Sequence, residues 1–290
     1  MKTNSFIKWA LFVLLCFIWG SSFILMKEGM KGLSPYQVAS LRILSAGLVL
    51  SPFLLKALKE TPKKLIWPIV LSGFIGTFFP AYLFCLAETV LASSLAGILN
   101  STTPLFTIII GAMFFKQKNG WSKWIGVIIG FIGMILPTIS QFGTVEIGYF
   151  AFYLMVLTAT VLYGINANVV HQYLKEATPT NVATIAFSSL IIPTSLILAG
   201  TGFFSTIDPT NTIWLKATGA SILLGIGGTC IASVIFYMLM KKAGPVFASM
   251  VTYGIPFVAI FWGILSGENI TTIQIAGMAV ILLGVRVANR

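Results

Sequence analysis

Charged residues, and acidic residues above all, are scarce in this sequence. Only 9% of its 290 residues are charged, and seven Asp and Glu stand against eighteen Lys and Arg. Soluble domains carry roughly 25% charged residues. A chain with so little charge lacks the side chains that cover a water-exposed surface, so we predict that its main solvent is lipid.

Cysteine and histidine are also sparse, which limits the chemistry that the chain can carry. Cys16, Cys85 and Cys230 lie inside apolar runs without a C-x-x-C spacing, and His171 is the single histidine. We expect the cysteines to be small core residues rather than disulfide partners or metal ligands. The sequence has no H-E-x-x-H pattern, no paired acids and no nucleophile–base group. We therefore predict neither an enzyme nor a cofactor.

Long apolar runs make up most of the remaining sequence. Hydrophobic residues account for 57% of the chain, and the mean hydropathy is +0.97. A helix needs about 20 mostly apolar residues to span a bilayer. On that basis we predict an all-α integral membrane protein with ten transmembrane helices, at residues 9–26, 35–55, 65–87, 92–115, 122–139, 148–170, 180–203, 214–239, 246–266 and 271–288.

The positions of the Lys and Arg residues predict how these helices are oriented. With the N-terminus in the cytoplasm, 14 of the 18 basic residues fall on the cytoplasmic side, and Lys27, Lys31 and Lys216 fall outside. The remaining one, Arg42, lies within a helix. This distribution follows the positive-inside rule, so we expect both termini in the cytoplasm. The same excess explains the basic isoelectric point without a nucleic-acid partner.

The two halves of the chain repeat one another at nearly constant offsets. An offset of 144 relates Trp19-Gly20 to Tyr163-Gly164, and an offset of 152 relates Pro104 to Pro256. Each half has five predicted spans, an odd number, so the second half enters the membrane from the opposite side. We therefore predict two inverted five-helix repeats, at 1–139 and 148–290, joined by a loop at 140–147 within one membrane domain. Such folds bind substrate between the repeats, near the bilayer midplane.

Several stretches of the sequence are typical of one membrane-protein family. They are WGSSFILMK followed by SPYQVASLRILSAGLVL, the pair ASSLAGILNSTTPLFTIIIGAMFF and IGVIIGFIGMIL, and the second copy FASMVTYGIPFVAIFWGILSGENITTIQIAGMAVILLGV. In their order and duplication they resemble the EamA-type members of the drug/metabolite transporter superfamily. The resemblance implies a ten-helix inner-membrane carrier, commonly an exporter of amino acids or other small metabolites. One departure is that Lys116 stands where the second copy has Glu268, which argues against a symmetric counterpart of Glu268.

Polar and aromatic side chains within the apolar spans indicate a substrate cavity. Such groups are costly in lipid unless they face protein or a water-filled space. Helical spacing places Trp19 and Ser22 on one face of the first span, and Tyr163 and Asn166 on one face of the sixth. Helix–helix packing is the alternative role for the small residues, and an interfacial aromatic belt is the alternative for the aromatic ones. The candidate set is Trp19, Ser22, Arg42, Tyr82, Asn100, Tyr163, Asn166, Tyr237 and Tyr253, to which Ser93, Ser233 and Ser249 add hydroxyl groups.

Arg42 is the most informative charge in the sequence. It lies about 10 Å into the second helix, where a charged side chain costs roughly 2.5–3.5 kcal/mol. A substrate carboxylate, Glu28, Glu88 or backbone carbonyls would each compensate it, and its repeat counterpart is Ala186. No acid lies in the middle of a span. We therefore predict weakly coupled or facilitative transport, with Glu88 as the leading candidate for a proton site.

The leading functional hypothesis is a multi-pass carrier in the bacterial inner membrane that exports amino acids or similar metabolites by alternating access. Within the transporter class, an exporter of drugs or other amphipathic compounds is the alternative. An intramembrane enzyme and a non-transporting scaffold are the alternatives from other classes. The expected partners are a small-molecule substrate and membrane lipid, with no nucleic acid, and the protein is expected to be a monomer or a homodimer.

Overall fold

The computed structural model describes residues 2–116, 120–142, 150–243, 248 and 251–288. Ten long helical segments, named α1 to α10, lie within these residues. Their bounds are Lys2–Met30 (α1), Pro35–Glu60 (α2), Lys63–Ala87 (α3), Ser93–Phe114 (α4), Trp121–Phe142 (α5), Phe150–Tyr173 (α6), Pro179–Gly200 (α7), Thr212–Lys242 (α8), Val251–Leu265 (α9) and Thr272–Ala288 (α10). Ser249 and most of the predicted connecting loop lie outside the described residues, and α5 covers the loop's first positions.

The length and composition of these helices fit a membrane protein. Seven of them, all but α5, α9 and α10, are long and apolar enough to cross a membrane. The apolar parts of the other three are shorter, as in Trp121–Gly133, which rises about 20 Å against a hydrocarbon core of roughly 30 Å. The predicted all-helical class is confirmed. Ten spans and the orientation of the termini stay predictions.

Large apolar side chains cover the outside of the bundle. Trp67, Leu55 and Trp121 are 72%, 74% and 85% exposed. In water, so many exposed apolar side chains would form a strongly aggregating surface, whereas in lipid they are the favourable surface. The polar residues described below lie inside.

Local signals in the sequence begin α2 and α7 in the same way. Ser34 Oγ accepts a hydrogen bond from the backbone N–H of Gln37, and the Gln37 side chain accepts one from the backbone N–H of Ser34. Thr178 accepts from the backbone N–H of Asn181 in the corresponding place. A proline follows each cap, at a position where its missing N–H is not needed. These caps fix the tight turns that precede the two helices.

Contacts between loops and helix ends define two ends of the bundle. At one end, the Glu268 end, Lys27 contacts Glu268, and Glu268 accepts a hydrogen bond from the backbone of Ser93. We call the other end the Lys241 end, after a lysine in the last turn of α8. There, Lys64 at the start of α3 pairs with Glu176 after α6. The helices between them surround a central space.

Helices α5 and α10 pack closely against one another at glycine residues. A Cβ atom on Gly133 would lie 2.6 Å from the backbone nitrogen of Ile281, and one on Gly284 would meet the backbone of Gly130. This is the close packing that small residues permit between membrane helices. The sequence has a Gly126-x-x-x-Gly130 pattern in α5, and both of these glycines contact Gly284 inside the fold.

The packing partners in the two halves exchange under the sequence offsets. Helix α1 packs on α9 as α6 packs on α4, and α2 packs on α8 as α7 packs on α3. Individual contacts repeat as well. Gly73 lies against the backbone of Ala186, and its counterpart Gly225 lies against the backbone of Arg42. Residue 186 is the counterpart of residue 42, so the two contacts exchange the halves.

Candidate functional site

A central cavity of about 140 Å³ lies between the two halves. By the same measure a single water molecule needs about 10–15 Å³, so the space suits a small organic molecule. Seven helices contribute to it, and α5, α7 and α10 contribute no described lining residue. The described lining residues are Trp19, Ser22, Phe23, Met26, Arg42, Gly76, Thr77, Phe84, Asn100, Thr103, Thr107, Tyr163, Asn166, Ala167, Val170, Gly228, Thr229, Ser233, Phe236, Tyr237, Met240, Thr252 and Ile255.

Helical irregularities in α3 and α8 bring backbone to this cavity. Each helix widens to π geometry, over Phe74–Phe78 in α3 and over Leu224–Ile231 in α8. π-bulges within α-helices are frequent at functional sites. The two segments occupy corresponding positions of the repeats and supply Gly76, Thr77, Gly228 and Thr229 to the lining.

A break in α4 lies beside the cavity, which Asn100 and Thr103 line. The helix is interrupted between Asn100 and Thr103, where Pro104 cannot supply a backbone N–H. The carbonyl of Asn100 instead accepts a hydrogen bond from Thr103 Oγ1 at 2.8 Å. The hydroxyls of Ser101 and Thr102 bond the two preceding carbonyls in the same way. Side chains thus satisfy the freed backbone, which broken membrane helices require.

Two aromatic side chains that the repeat relates, Trp19 and Tyr163, line the cavity. Trp19 Nε1 donates to the carbonyl of Gly228 at 2.9 Å, and its ring lies 5.1 Å from that of Phe236. Tyr163, the repeat counterpart of Trp19, stacks on Phe84 at 6.1 Å. These rings give the cavity an apolar, aromatic character on both sides.

Glycines make room for the polar side chains that stand beside these rings. Ser72 Oγ donates to Asn166 Oδ1 at 2.6 Å, and a Cβ atom on Gly76 would occupy the position of the Asn166 amide. The counterpart contact brings Ser22 Oγ to 2.7 Å from a Cβ atom built on Gly228. The Tyr237 hydroxyl lies within hydrogen-bonding reach of Ser72 and Asn166.

Arg42 enters the cavity from α2. Its Nε donates to Thr229 Oγ1 at 2.7 Å, and its Nη1 lies 3.7 Å from the sulfur of Met26. Neither partner carries a charge. Among the ion pairs of the described residues, none includes Arg42.

The structure brings most of the predicted site residues together. Seven of the nine candidates line the cavity, and Ser233 joins them. The other two candidates are outside the lining. The Tyr82 hydroxyl hydrogen-bonds with Ser40 at 2.8 Å, and the ring of Tyr253 packs against an apolar cluster around Ile98. Sequence reasoning missed the threonines Thr77, Thr103, Thr107, Thr229 and Thr252, although Thr103 was signalled by the proline that follows it.

A polar cluster lies at the Glu268 end of the bundle. Glu268 accepts hydrogen bonds from Lys27 Nζ at 2.8 Å, from the backbone N–H groups of Ser93 and Ser94, and from Ser94 Oγ. Ser93 Oγ donates in turn to Oε2 of Glu88 at 3.1 Å. We call these five residues, Lys27, Glu88, Ser93, Ser94 and Glu268, the Glu268 cluster.

The two acids of this cluster have opposite pKa shifts. Burial raises the pKa of Glu88 well above its usual value, against the opposing effects of Ser93 and Lys27. Its Oε1 atom is buried without a hydrogen-bond partner among the described residues. Burial also acts to raise the pKa of Glu268, but hydrogen bonds from Lys27 and Ser94 outweigh it and lower that pKa.

Toward the Lys241 end, the cavity has a neighbouring space. A second space of about 300 Å³ shares Val170, Tyr237 and Met240 with the central cavity. Its outer rim includes His171 and Lys241. The second space therefore adjoins the central cavity on the side of the Lys241 end, whereas the Glu268 cluster lies at the other end of the bundle. Within the described residues no group of three or more His, Cys, Asp or Glu side chains is arranged to hold a metal ion.

Comparisons with known proteins agree with this architecture. The chain is 26% identical to an uncharacterized transporter of Archaeoglobus fulgidus, over 98% of this chain and 99% of that protein. It is 26% identical to the uncharacterized inner membrane transporter YedA of Escherichia coli K12, over 92% and 86% of the two chains. A protein of Chlamydia muridarum named as an S-adenosylmethionine/S-adenosylhomocysteine transporter is 24% identical, over 93% and 87%.

A solved crystal structure shares the fold. It aligns with a TM-score of 0.67 at 17% sequence identity and covers 96% of this chain and 95% of its own. Residues 7–139 and 150–290 each match the EamA-like transporter family. The two matches together take in nearly the whole chain, including every residue of the cavity, and the chain therefore belongs to the EamA-like transporter family.

Proposed function

We propose that this protein exports amino acids or closely similar metabolites across the bacterial inner membrane by alternating access. The observation that carries the proposal is the central cavity between the two halves, with a second space that adjoins it on the side of Lys241. A carrier must hold such a site and open it to one side at a time. The aromatic rings of Trp19 and Tyr163 beside the Asn166 amide suit a solute with both apolar and polar parts.

The repeated contacts support two inverted five-helix repeats with ten spans. Exchange of the halves relates α1 on α9 to α6 on α4, and relates the π segments of α3 and α8. Five spans in each half make the second half run opposite to the first, as in other secondary transporters. The positive-inside rule then assigns the Lys241 end to the cytoplasm. In this orientation the adjoining space lies on the cytoplasmic side of the cavity, where an exported solute enters.

A second candidate substrate is an amino acid joined to an adenine ring. It is favoured by the chlamydial relative named for S-adenosylmethionine and S-adenosylhomocysteine, together with the stacking surfaces of Trp19, Phe84 and Tyr163. An exporter of cationic drugs is less well supported, because the described lining contains no acid. An intramembrane enzyme and a scaffold without flux are less well supported, because the matching family and the relatives above are named as transporters.

Transport by purified protein in liposomes tests the proposal directly. We expect amino acids with apolar side chains to exchange across the vesicle membrane, and a Trp19→Ala/Asn166→Leu variant to lose most of that flux. Lys31→Met, at an exposed pair with Glu28, serves as the control. If neither amino acids nor adenosyl amino acids move through correctly inserted protein, the proposed function is wrong.

A further inference from the structure

Arg42 is the one charged residue of the described cavity lining, and it breaks the internal symmetry of that lining. Lining residues come from α1 and α6, from α3 and α8, and from α4 and α9, which are the repeat counterparts. Arg42 comes from α2, whereas α7 contributes no described lining residue and has Ala186 at the matching position. The arginine is therefore an addition to a cavity that the rest of the lining builds in pairs.

The known contacts of Arg42 leave most of its hydrogen-bonding capacity unused. A guanidinium group has five N–H donors in a fixed plane. One bonds Thr229 Oγ1 at 2.7 Å, and one points to the sulfur of Met26 at 3.7 Å, which is a weak acceptor. No carboxylate among the described residues lies within ion-pairing distance of it, and none belongs to the described cavity lining.

Glu88 does not compensate this charge through contact. Glu88 and Arg42 are near enough to interact electrostatically, but Glu88 is outside the cavity lining and only 3% exposed. Its Oε2 atom accepts from Ser93, and the raised pKa favours its neutral form. A cation inside a membrane protein is costly unless an anion, backbone carbonyls or the water of a cavity stabilises it. Since no described acid pairs with Arg42, its charge is available to bind an anionic group of a solute that enters the cavity.

We propose that Arg42 binds the carboxylate group of the transported solute. The proposal rests on the proposed function and names the chemistry by which that same cavity selects its substrate. A guanidinium fork matches a carboxylate with two parallel hydrogen bonds, a geometry that an ammonium or an amide cannot reproduce. The ring surfaces of Trp19, Phe84 and Tyr163 then contact the apolar part of the solute. Free amino acids and adenosyl amino acids both carry the required carboxylate, and the test separates them.

Binding and counterflow measurements on matched compounds test this proposal. The probes are L-phenylalanine, L-leucine and S-adenosylhomocysteine, each compared with its carboxamide, in which the carboxylate is replaced. We expect wild-type protein to bind at least one acid roughly 10- to 100-fold more tightly than its carboxamide, as for a charge-assisted pair. Arg42→Gln is expected to remove that difference, and Arg42→Lys to restore part of it.

Charge removal elsewhere gives the control. Lys216→Gln removes an exposed charge on α8 and is expected to keep the preference for the acid. Size-exclusion chromatography and circular dichroism establish that Arg42→Gln is folded, and Thr229→Val provides a second variant that keeps the charge but removes one of its partners.

Acids and carboxamides that bind and move equally well would overturn the inference and leave the transport function intact. Absence of all counterflow would instead count against the proposed function. Absence of acid binding by wild-type protein would overturn the carboxylate site itself.

Discussion

Lys27 Nζ lies 2.8 Å from Glu268 Oε1, and the same carboxylate accepts both backbone N–H groups at the start of α4. One side chain thus ties the end of α1 to the start of α4 and to the turn between α9 and α10. The counterparts of Lys27, Glu88 and Glu268 are His171, Met240 and Lys116. These three positions of the Lys241 end therefore lack the pair of acids and the lysine on which the Glu268 cluster is built.

The contacts of Glu268 do not contribute equally to the stability of the fold. Lys27 is 37% exposed in its side chain and Glu268 is 7% exposed, so water screens the ion pair and limits it to about 0.2–1 kcal/mol. Loss of a hydrogen-bond acceptor for a buried backbone N–H costs about 1–3 kcal/mol. We expect Glu268→Gln to lower the unfolding temperature in detergent clearly more than Lys27→Met does.

The exposed pair of Lys31 and Glu28 supplies the control for that comparison. Lys31→Met removes a similar contact one turn away and is expected to leave the unfolding temperature nearly unchanged. If Lys27→Met proves as damaging as Glu268→Gln, the ion pair rather than the capping of α4 stabilises the Glu268 cluster.

The two acids of the Glu268 cluster are expected to affect stability in opposite pH ranges. The raised pKa of Glu88 means that the folded protein holds this proton more tightly than the unfolded chain does. Its contribution to stability is therefore greatest at low pH and falls as pH rises from the unfolded pKa toward the folded one. The lowered pKa of Glu268 has the reverse effect, because its stabilisation is lost as pH falls through the folded value.

Glu88→Gln tests this assignment, since an amide resembles the protonated acid. Lys27, Arg42 and Glu268 are the charged groups that act on Glu88, and all three stay in place in the variant. At pH 8 we expect the variant to be at least as stable as the wild type, with a weaker decline between pH 5 and pH 8. A variant that is markedly less stable at pH 8 would mean that the folded protein needs the ionised carboxylate.

Asn166 and Ser22 can occupy their positions in the cavity because Gly76 and Gly228, which they contact, have no Cβ atom. Gly76→Ala would place its Cβ atom on the Asn166 amide, and Gly228→Ala would press on Ser22 Oγ. We expect both variants to reduce solute flux in liposomes severalfold, because the displaced side chains occupy substrate space. Gly227→Ala is a matched control in the same π segment, where a Cβ atom meets nothing within 4 Å. Equal flux in all three variants would exclude Asn166 and Ser22 from the substrate path.

Sequence reasoning succeeded where a helical spacing and a repeat agreed. Trp19 and Ser22 lie three residues apart, as do Tyr163 and Asn166, and all four line the cavity. It fared worse where helix geometry departs from regular spacing. Thr229 contacts Arg42 from the π segment of α8. No local sequence pattern predicts that the helix adopts π geometry there. Tyr82 shows a different limit, because a hydroxyl in an apolar span is equally satisfied by Ser40 and by a cavity.

The glycine contacts between α5 and α10 lie within one chain, and this can be distinguished from a role of the same glycines in a dimer interface. A Cβ atom on Gly133 would lie 2.6 Å from the backbone nitrogen of Ile281, and backbone cannot move aside as a flexible side chain can. Overpacking of this kind costs about 1–3 kcal/mol, so Gly133→Ala should lower the unfolding temperature without changing the size of the particle. Gly219→Ala, where a Cβ atom meets nothing within 4 Å, should be neutral or slightly stabilising, because alanine favours helix by about 0.5–1 kcal/mol. Conversion of a dimer to a monomer by Gly133→Ala at unchanged stability would contradict this, because it would place the glycine seam between subunits.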